Sequence, residues 1–261
     1  LIKKIPPRIR ISIAMFGFYI IILTLFRIGF FLVFFEEMKT LSSEYFLKSI
    51  FIGFRFDARL TIIIILPFLL LSMLPLLNRK SFQNIWKVYW LTSIASVICI
   101  YIADIGYYSY LKTRLDASIL GLSKNLFISV TMIWETYPVI PFILFIGGFL
   151  WFSFFIIGKV YSISNSYQNT IPKRNSAIIH ILIILLFLGI GYGKWSRYPF
   201  RWSDAFYSTN HTANQLAINP VLYFLNTWTR VSETYDIEKV KEYYSLMSDF
   251  LNVENPNIDN L

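Results

Sequence analysis

The sequence predicts an all-α membrane protein of five transmembrane helices with amphipathic helices on the outer face, its N-terminus inside and its C-terminus outside. Three observations predict it. Five apolar stretches divide the chain, at residues 11–35, 60–77, 88–103, 137–157 and 177–192. All fifteen Asp and Glu fall in 36–59, 104–135 and 194 onward, mixed with bases, while the alternate segments hold ten Lys/Arg and no acid. That is the positive-inside pattern without exception. Finally, Phe, Tyr and Trp total 49, and many Tyr and Trp sit at stretch ends, among them Tyr89, Trp90, Tyr107, Tyr108, Trp151, Tyr192 and Trp195. Tyr and Trp favour the headgroup layer because one end is apolar and the other can hydrogen-bond.

A span needs roughly 20 apolar residues. The first stretch meets that and is too long for a signal-peptide core, so it is read as a retained span. Residues 46–56, apolar but for Lys48 and Arg55, suit a helix lying at the interface before the second span. Pro67 is expected to kink that span. The third span should continue as a helix past Asp104, followed by an amphipathic segment to Thr136. The fourth and fifth spans flank a polar inner loop at 158–176. A Trp/Tyr/Arg-rich stretch then runs to about Arg230, followed by a charged helix at 235–251 and a Pro/Asn-containing tail at 255–260. Residues 1–230 thus form the membrane domain. Residues 231–261 are read as an extracytoplasmic juxtamembrane helix and linker leading to a catalytic domain outside this chain.

The net charge of +9 is no signal for nucleic acid. Of the 24 bases, setting aside the ten on the inner side and Arg27 leaves thirteen outside against fifteen acids, so the outer surface is nearly neutral. Orientation and anionic lipid account for the inner charge. The single Cys99 excludes an intrachain disulfide, and with two histidines no His/Cys metal cluster is available.

Three outer constellations carry polar chemistry. In Gly53-Phe-Arg-Phe-Asp-Ala-Arg59, helical spacing puts Arg55 and Arg59 on one face and Asp57 away from them. Two guanidiniums at headgroup depth can clamp a phosphate, or simply snorkel while Asp57 pairs with another helix. In Asp104 to Asp116, Asp104, Tyr108 and Lys112 fall on one stripe, with Arg114 nearby. The stripe suits either a polyol headgroup or an aromatic anchor with an exposed Lys112–Asp116 pair. Arg197 and Arg201 flank Tyr-Pro-Phe beyond the fifth span, an arrangement equally suited to anchoring and to anionic-lipid recognition. Arg27 and His180 are the basic side chains within the spans. Arg27 must snorkel, line a polar cavity or pair, with Asp57 or Asp104 as candidate partners. His180 is read as a helix-packing residue. No nucleophile elbow, phosphate-binding Gly-rich loop or zinc-protease helix is present, so no catalytic residue is assigned.

Gly-Phe-Arg-Phe-Asp at 53–57, Asp104 with Tyr107-Tyr108 and Arg114, Arg-Tyr-Pro at 197–199 and Asn219-Pro220 resemble, in this order, the membrane half of lipoteichoic acid synthase-like, sulfatase-superfamily proteins. The motifs are short, but the resemblance covers most of the chain. It implies a bacterial cytoplasmic-membrane module. It also implies an extracytoplasmic catalytic domain, none of whose nucleophile or metal motifs occurs here, holding a divalent metal, commonly manganese. Such a domain transfers glycerol phosphate or phosphoethanolamine from a lipid, or acts as a sulfatase. This chain is then expected to anchor the enzyme and present the headgroup of phosphatidylglycerol or another anionic phospholipid. Arg55, Asp57, Arg59, Asp104, Tyr108, Lys112, Arg114, Arg197 and Arg201 would be the contact residues. The alternatives are a non-enzymatic anchor or assembly protein, and a polyprenyl-phosphate-dependent glycosyltransferase using Glu36 and Glu37.

Overall fold

The computed structural model describes residues 5–72, 82–166, 172–194, 196–231, 237–253 and 257. Among these the secondary structure is entirely helical: α1 (Pro7–Val33), α2 (Phe35–Met38), α3 (Ser43–Leu71), α4 (Gln83–Leu111), α5 (Leu126–Thr136), α6 (Val139–Ser166), α7 (Lys173–Tyr192), α8 (His211–Ala217), α9 (Pro220–Val231) and α10 (Ile237–Phe250). Two 3₁₀ helices, Ala117–Asn125 and Trp202–Ala205, join them. Among the described residues, four helices are long and apolar enough to cross a membrane: α1, α4, α6 and the Asn175–Tyr192 part of α7.

The second apolar stretch is built differently from expectation. Residues 46–56 do not form a separate interfacial helix; they are the first half of α3, which runs unbroken for 29 residues. Ser42 caps its start, its hydroxyl accepting from the Tyr45 N–H, and no helix breaker separates the charged half from the apolar one. Only the turns from Leu60 to Leu71 are continuously apolar, because Arg55, Asp57 and Arg59 precede them. The expected end of that stretch, residues 73–77, lies outside the described residues. Pro67 is carried inside the helix, and the Tyr89 hydroxyl donates to the Ile64 carbonyl in the turn before it (2.6 Å).

The long helices pack as α1 on α3 and α6, α3 on α7, and α4 on α6. Their shared core holds Met15, Tyr19, Ile65, Leu69, Trp90, Ile98 and Ile157. Outward faces remain apolar, as at Leu182, Leu185 and Leu186 on α7 and Trp151, Phe154 and Phe155 on α6. Such surface suits hydrocarbon rather than water. His180 is buried and engages the Leu69 backbone of α3, a packing position.

α1, α4 and α7 finish, and α3 begins, at the acid-bearing end of the bundle. There α8 and α9 form a bent plug: α8 packs on α3, α1 and α2, and α9 on α4, α3 and both 3₁₀ helices. Asn219 precedes Pro220, which disfavours the helical region at Asn219 and suits the first position of α9. The helix therefore breaks there, and the break itself is buried.

Candidate functional site

The break between α8 and α9 reaches the acid-bearing end of α1, where it meets Arg27. All five N–H donors of that guanidinium are used. Two go to Asp57, Nε to Oδ2 at 3.2 Å and Nη2 to Oδ1 at 2.7 Å. The others reach the carbonyls of Gly53 (3.1 Å), Ile218 (3.3 Å) and Leu216. Asn219 completes the cluster, its amide donating to Asp57 Oδ1 (2.8 Å) and the Tyr101 hydroxyl (3.1 Å). Arg27 is 3% exposed and Asp57 0%, so this is a buried charge pair satisfied on nearly every atom. Asp57 rather than Asp104 is the partner of Arg27.

A second buried pair lies beside it. Arg114 Nη1 stands 3.3 Å from Asp104 Oδ2, without the alignment of a hydrogen bond, and its guanidinium covers the Phe30 ring at 3.8 Å. The Leu115 N–H donates to Asp104 (2.9 Å), the Arg114 N–H to Gln215 (3.0 Å), and Arg114 Nη2 to the Ile218 carbonyl (3.4 Å). Burial draws the Arg114 guanidinium below its ordinary value, with the Asp104 charge opposing. Both arginines thus hold the carbonyl of one residue, Ile218, and pin the plug to α1, α3 and α4.

This placement corrects part of the sequence reading. Asp57, Asp104 and Arg114 lie inside the protein, Asp57 held by Arg27 and Asn219 and Asp104 paired with Arg114, rather than facing a headgroup. The stripe Asp104–Tyr108–Lys112 ends early, because α4 stops at Leu111 and Lys112 adopts a left-handed conformation (φ 56°). Lys112 therefore pairs with Glu37 (2.5 Å) instead of Asp116, and the Tyr108 hydroxyl also donates to Glu37 (3.4 Å). Asp116 accepts from the Tyr107 hydroxyl and the Ser118 N–H, both at 2.9 Å. Glu36 pairs with Lys39.

The remaining arginines of the predicted site lie at the acid-bearing end. Arg55 covers the Phe200 ring at 4.3 Å and donates to the Gly193 carbonyl. Gly193 ends α7 at φ +80°, and a Cβ there would fall 2.7 Å from Phe200, so both conformation and space require glycine. Arg55 and Lys194 stand at the mouth of a groove of about 950 Å³ between α3 and α7, whose walls descend through Ala58, Leu185, Leu186 and Ile190. That volume falls within the roughly 300–1,000 Å³ of small-molecule sites. Arg59 and Arg201 line a separate pocket with Trp202 and Asn226. Arg197 is exposed, 6.0 Å from the centre of the Tyr198 ring. The structure thus separates Arg55 from Arg59, the two guanidiniums expected to clamp one phosphate, between two cavities.

Lys194 is absent from the residues that sequence reasoning picks out, although a base directly after an apolar stretch is a visible signal. It binds Asp204 at 2.7 and 3.0 Å, and Asp204 also accepts from the Arg201 N–H (2.6 Å). Burial would raise the Asp204 carboxyl, but the Arg201 N–H and the Lys194 ammonium outweigh it and hold the group below its ordinary value. A depressed carboxylate stabilises the fold above its unfolded pKa, about 3.9, and loses that contribution as pH falls through the folded value. Asp204→Asn is expected to lose at most about 1 kcal/mol at pH 7. In melts from pH 7 to pH 2, the gap to wild type should close below about pH 4; a gap that persists at pH 2 contradicts the assignment.

Among the described residues, no group of three or more His, Cys, Asp or Glu could hold a metal. Comparison with protein-family models, curated proteins and solved structures finds no match to this chain.

Proposed function

We propose that this chain is the membrane-anchoring, headgroup-presenting module of an extracytoplasmic, metal-dependent phosphoglycerol-type transferase or sulfatase-like hydrolase, with the chemistry carried by a domain outside these 261 residues. The observation that supports it is the α3–α7 groove. Arg55 and Lys194 stand at its mouth and aliphatic side chains line its depth, the profile of an anionic phospholipid. In this reading α3 supplies a fifth span, since it is packed between α1 and α7 and turns apolar from Leu60 onward. The positive-inside pattern supports an N-terminus in the cytoplasm and a C-terminus outside, and the family resemblance suggests a bacterial cytoplasmic membrane. The groove mouth then meets the outer headgroup layer, where another domain would act on the lipid with its own metal.

The test is lipid retention in nanodiscs containing equal phosphatidylglycerol and phosphatidylcholine, read by native mass spectrometry. Wild type is expected to retain phosphatidylglycerol, and Arg55→Gln with Lys194→Gln to lower retention about tenfold with the fold intact by circular dichroism, roughly 1.4 kcal/mol. Equal retention of both lipids by wild type would sink the proposal and favour a non-enzymatic anchor. Sugar transfer by the purified chain would favour the glycosyltransferase alternative, although Glu36 and Glu37 already have basic partners in Lys39 and Lys112.

A further inference from the structure

We propose that the pocket between α3, the 3₁₀ helix Trp202–Ala205 and α9 is a second anion site, one that takes a phosphate-bearing group independently of the α3–α7 groove. Phe56, Arg59 and Ile63 form a stripe along α3 opposite Leu222, Leu225 and Asn226 on α9, and Arg201 and Trp202 close the rim. The enclosed volume is about 230 Å³. That is below the roughly 300 Å³ at which drug-sized sites begin, and suits one headgroup.

Charge makes the pocket selective. Arg59 is half-buried, yet among the described residues neither its guanidinium nor that of Arg201 enters an ion pair. Asp204 is the acid whose charge acts on Arg59, but its oxygens already accept from Lys194 (2.7 and 3.0 Å) and from the Arg201 N–H (2.6 Å). Among the described residues, the aromatic contact of the Arg201 guanidinium is the Tyr198 ring, at 5.1 Å. A guanidinium taken partly out of water without a counter-charge is costly. A phosphate oxygen pair restores what it lost, in the fork geometry that a guanidinium offers. Ile63, Leu222 and Leu225 give the pocket an apolar wall for the carbon skeleton of a phosphate ester.

The two sites are divided by aromatic rings. Phe56 lines this pocket and packs on Phe200 at 4.3 Å, while Arg55 stacks on the same Phe200 from the groove. One anion on each side of that stack places two phosphate groups at the same end of the bundle.

The site is tested by isothermal titration of the full chain in neutral detergent with dihexanoyl phosphatidylglycerol. Two classes of binding site are expected. Arg59→Gln with Arg201→Gln should remove one class, weakening it at least tenfold, and leave the class that Arg55→Gln with Lys194→Gln removes. Arg59→Lys with Arg201→Lys keeps charge and fold but lacks the fork, and should weaken the same class severalfold. Competition by inorganic phosphate identifies a free phosphate as the ligand source; competition by dihexanoyl phosphatidic acid but not by inorganic phosphate identifies a lipid headgroup. A single class untouched by the Arg59 and Arg201 changes overturns the proposal. A single class removed by the Arg59 and Arg201 changes and untouched by Arg55→Gln with Lys194→Gln would overturn the groove reading and leave this one standing.

Discussion

Arg27→Met is expected to destabilise the folded protein by about 3–5 kcal/mol, near the upper end of what a single replacement does. Arg27 is buried between α1, α3 and the α8–α9 break, and its removal strands the Asp57 carboxylate away from water. It also takes a donor from the buried Leu216 carbonyl, which costs about 1–3 kcal/mol if left unpaired, while the Ile218 carbonyl keeps Arg114 Nη2. The double change Arg27→Met with Asp57→Leu should recover only part of the loss. It removes the stranded charge, but the Leu216 carbonyl still lacks the donor that Arg27 supplied. Unfolding midpoints in mixed micelles for the two single variants and the double give the coupling energy directly. A loss below about 1 kcal/mol for Arg27→Met would mean that the pair adds no more than a surface bridge. The consequence extends to the smaller proposed site, because the plug that Arg27 anchors includes α9, one wall of that pocket.

The helices are legible in the sequence for a simple reason: apolar runs and the placement of acids are one-dimensional properties. α1, α4, α6 and α7 cover four of the five expected stretches, and the charged helix expected at 235–251 is α10, Ile237–Phe250. The division of α3 is misread because an apolar run with Lys48 and Arg55 looks alike whether the helix lies flat or continues downward. Arg27 is visible as a cost requiring compensation, and Asp57 stands among its candidate partners. The choice between Asp57 and Asp104 depends on which helix passes closest, and no local pattern carries that. Lys112 shows the opposite failure. Helical spacing assigns it to Asp116, but the helix ends one residue earlier, so its chain turns toward Glu37. The division of Arg55 from Arg59 and Arg201 between two cavities likewise follows from α7 and α9 flanking α3, a tertiary fact. Asn219 and Gln215 are hard to value in advance, since an amide in a loop or a short helix is common and only burial gives these two their hydrogen-bonding role.

Gly53→Ala should behave in opposite ways in two backgrounds. An alanine in place of glycine inside a helix normally gains about 0.8–1.0 kcal/mol, and Gly53 lies in the middle of α3. Here the added Cβ would fall 2.3 Å from Cζ of Arg27 and 2.4 Å from Nη1. The obstructing atoms are the far end of a flexible side chain, which elsewhere would swing aside at little cost. This end is held by five hydrogen bonds, and moving it breaks the contacts to Asp57, Leu216 and Ile218 together. In the native background the substitution is therefore expected to cost about 2–4 kcal/mol, approaching the loss of Arg27 itself. In the Arg27→Met background the guanidinium is gone, and the same change should be neutral or stabilising by up to about 1 kcal/mol. The sign reversal is what identifies close approach to the guanidinium as the reason for a glycine at this position. Two equal costs in the two backgrounds would place the reason in the backbone of α3 instead.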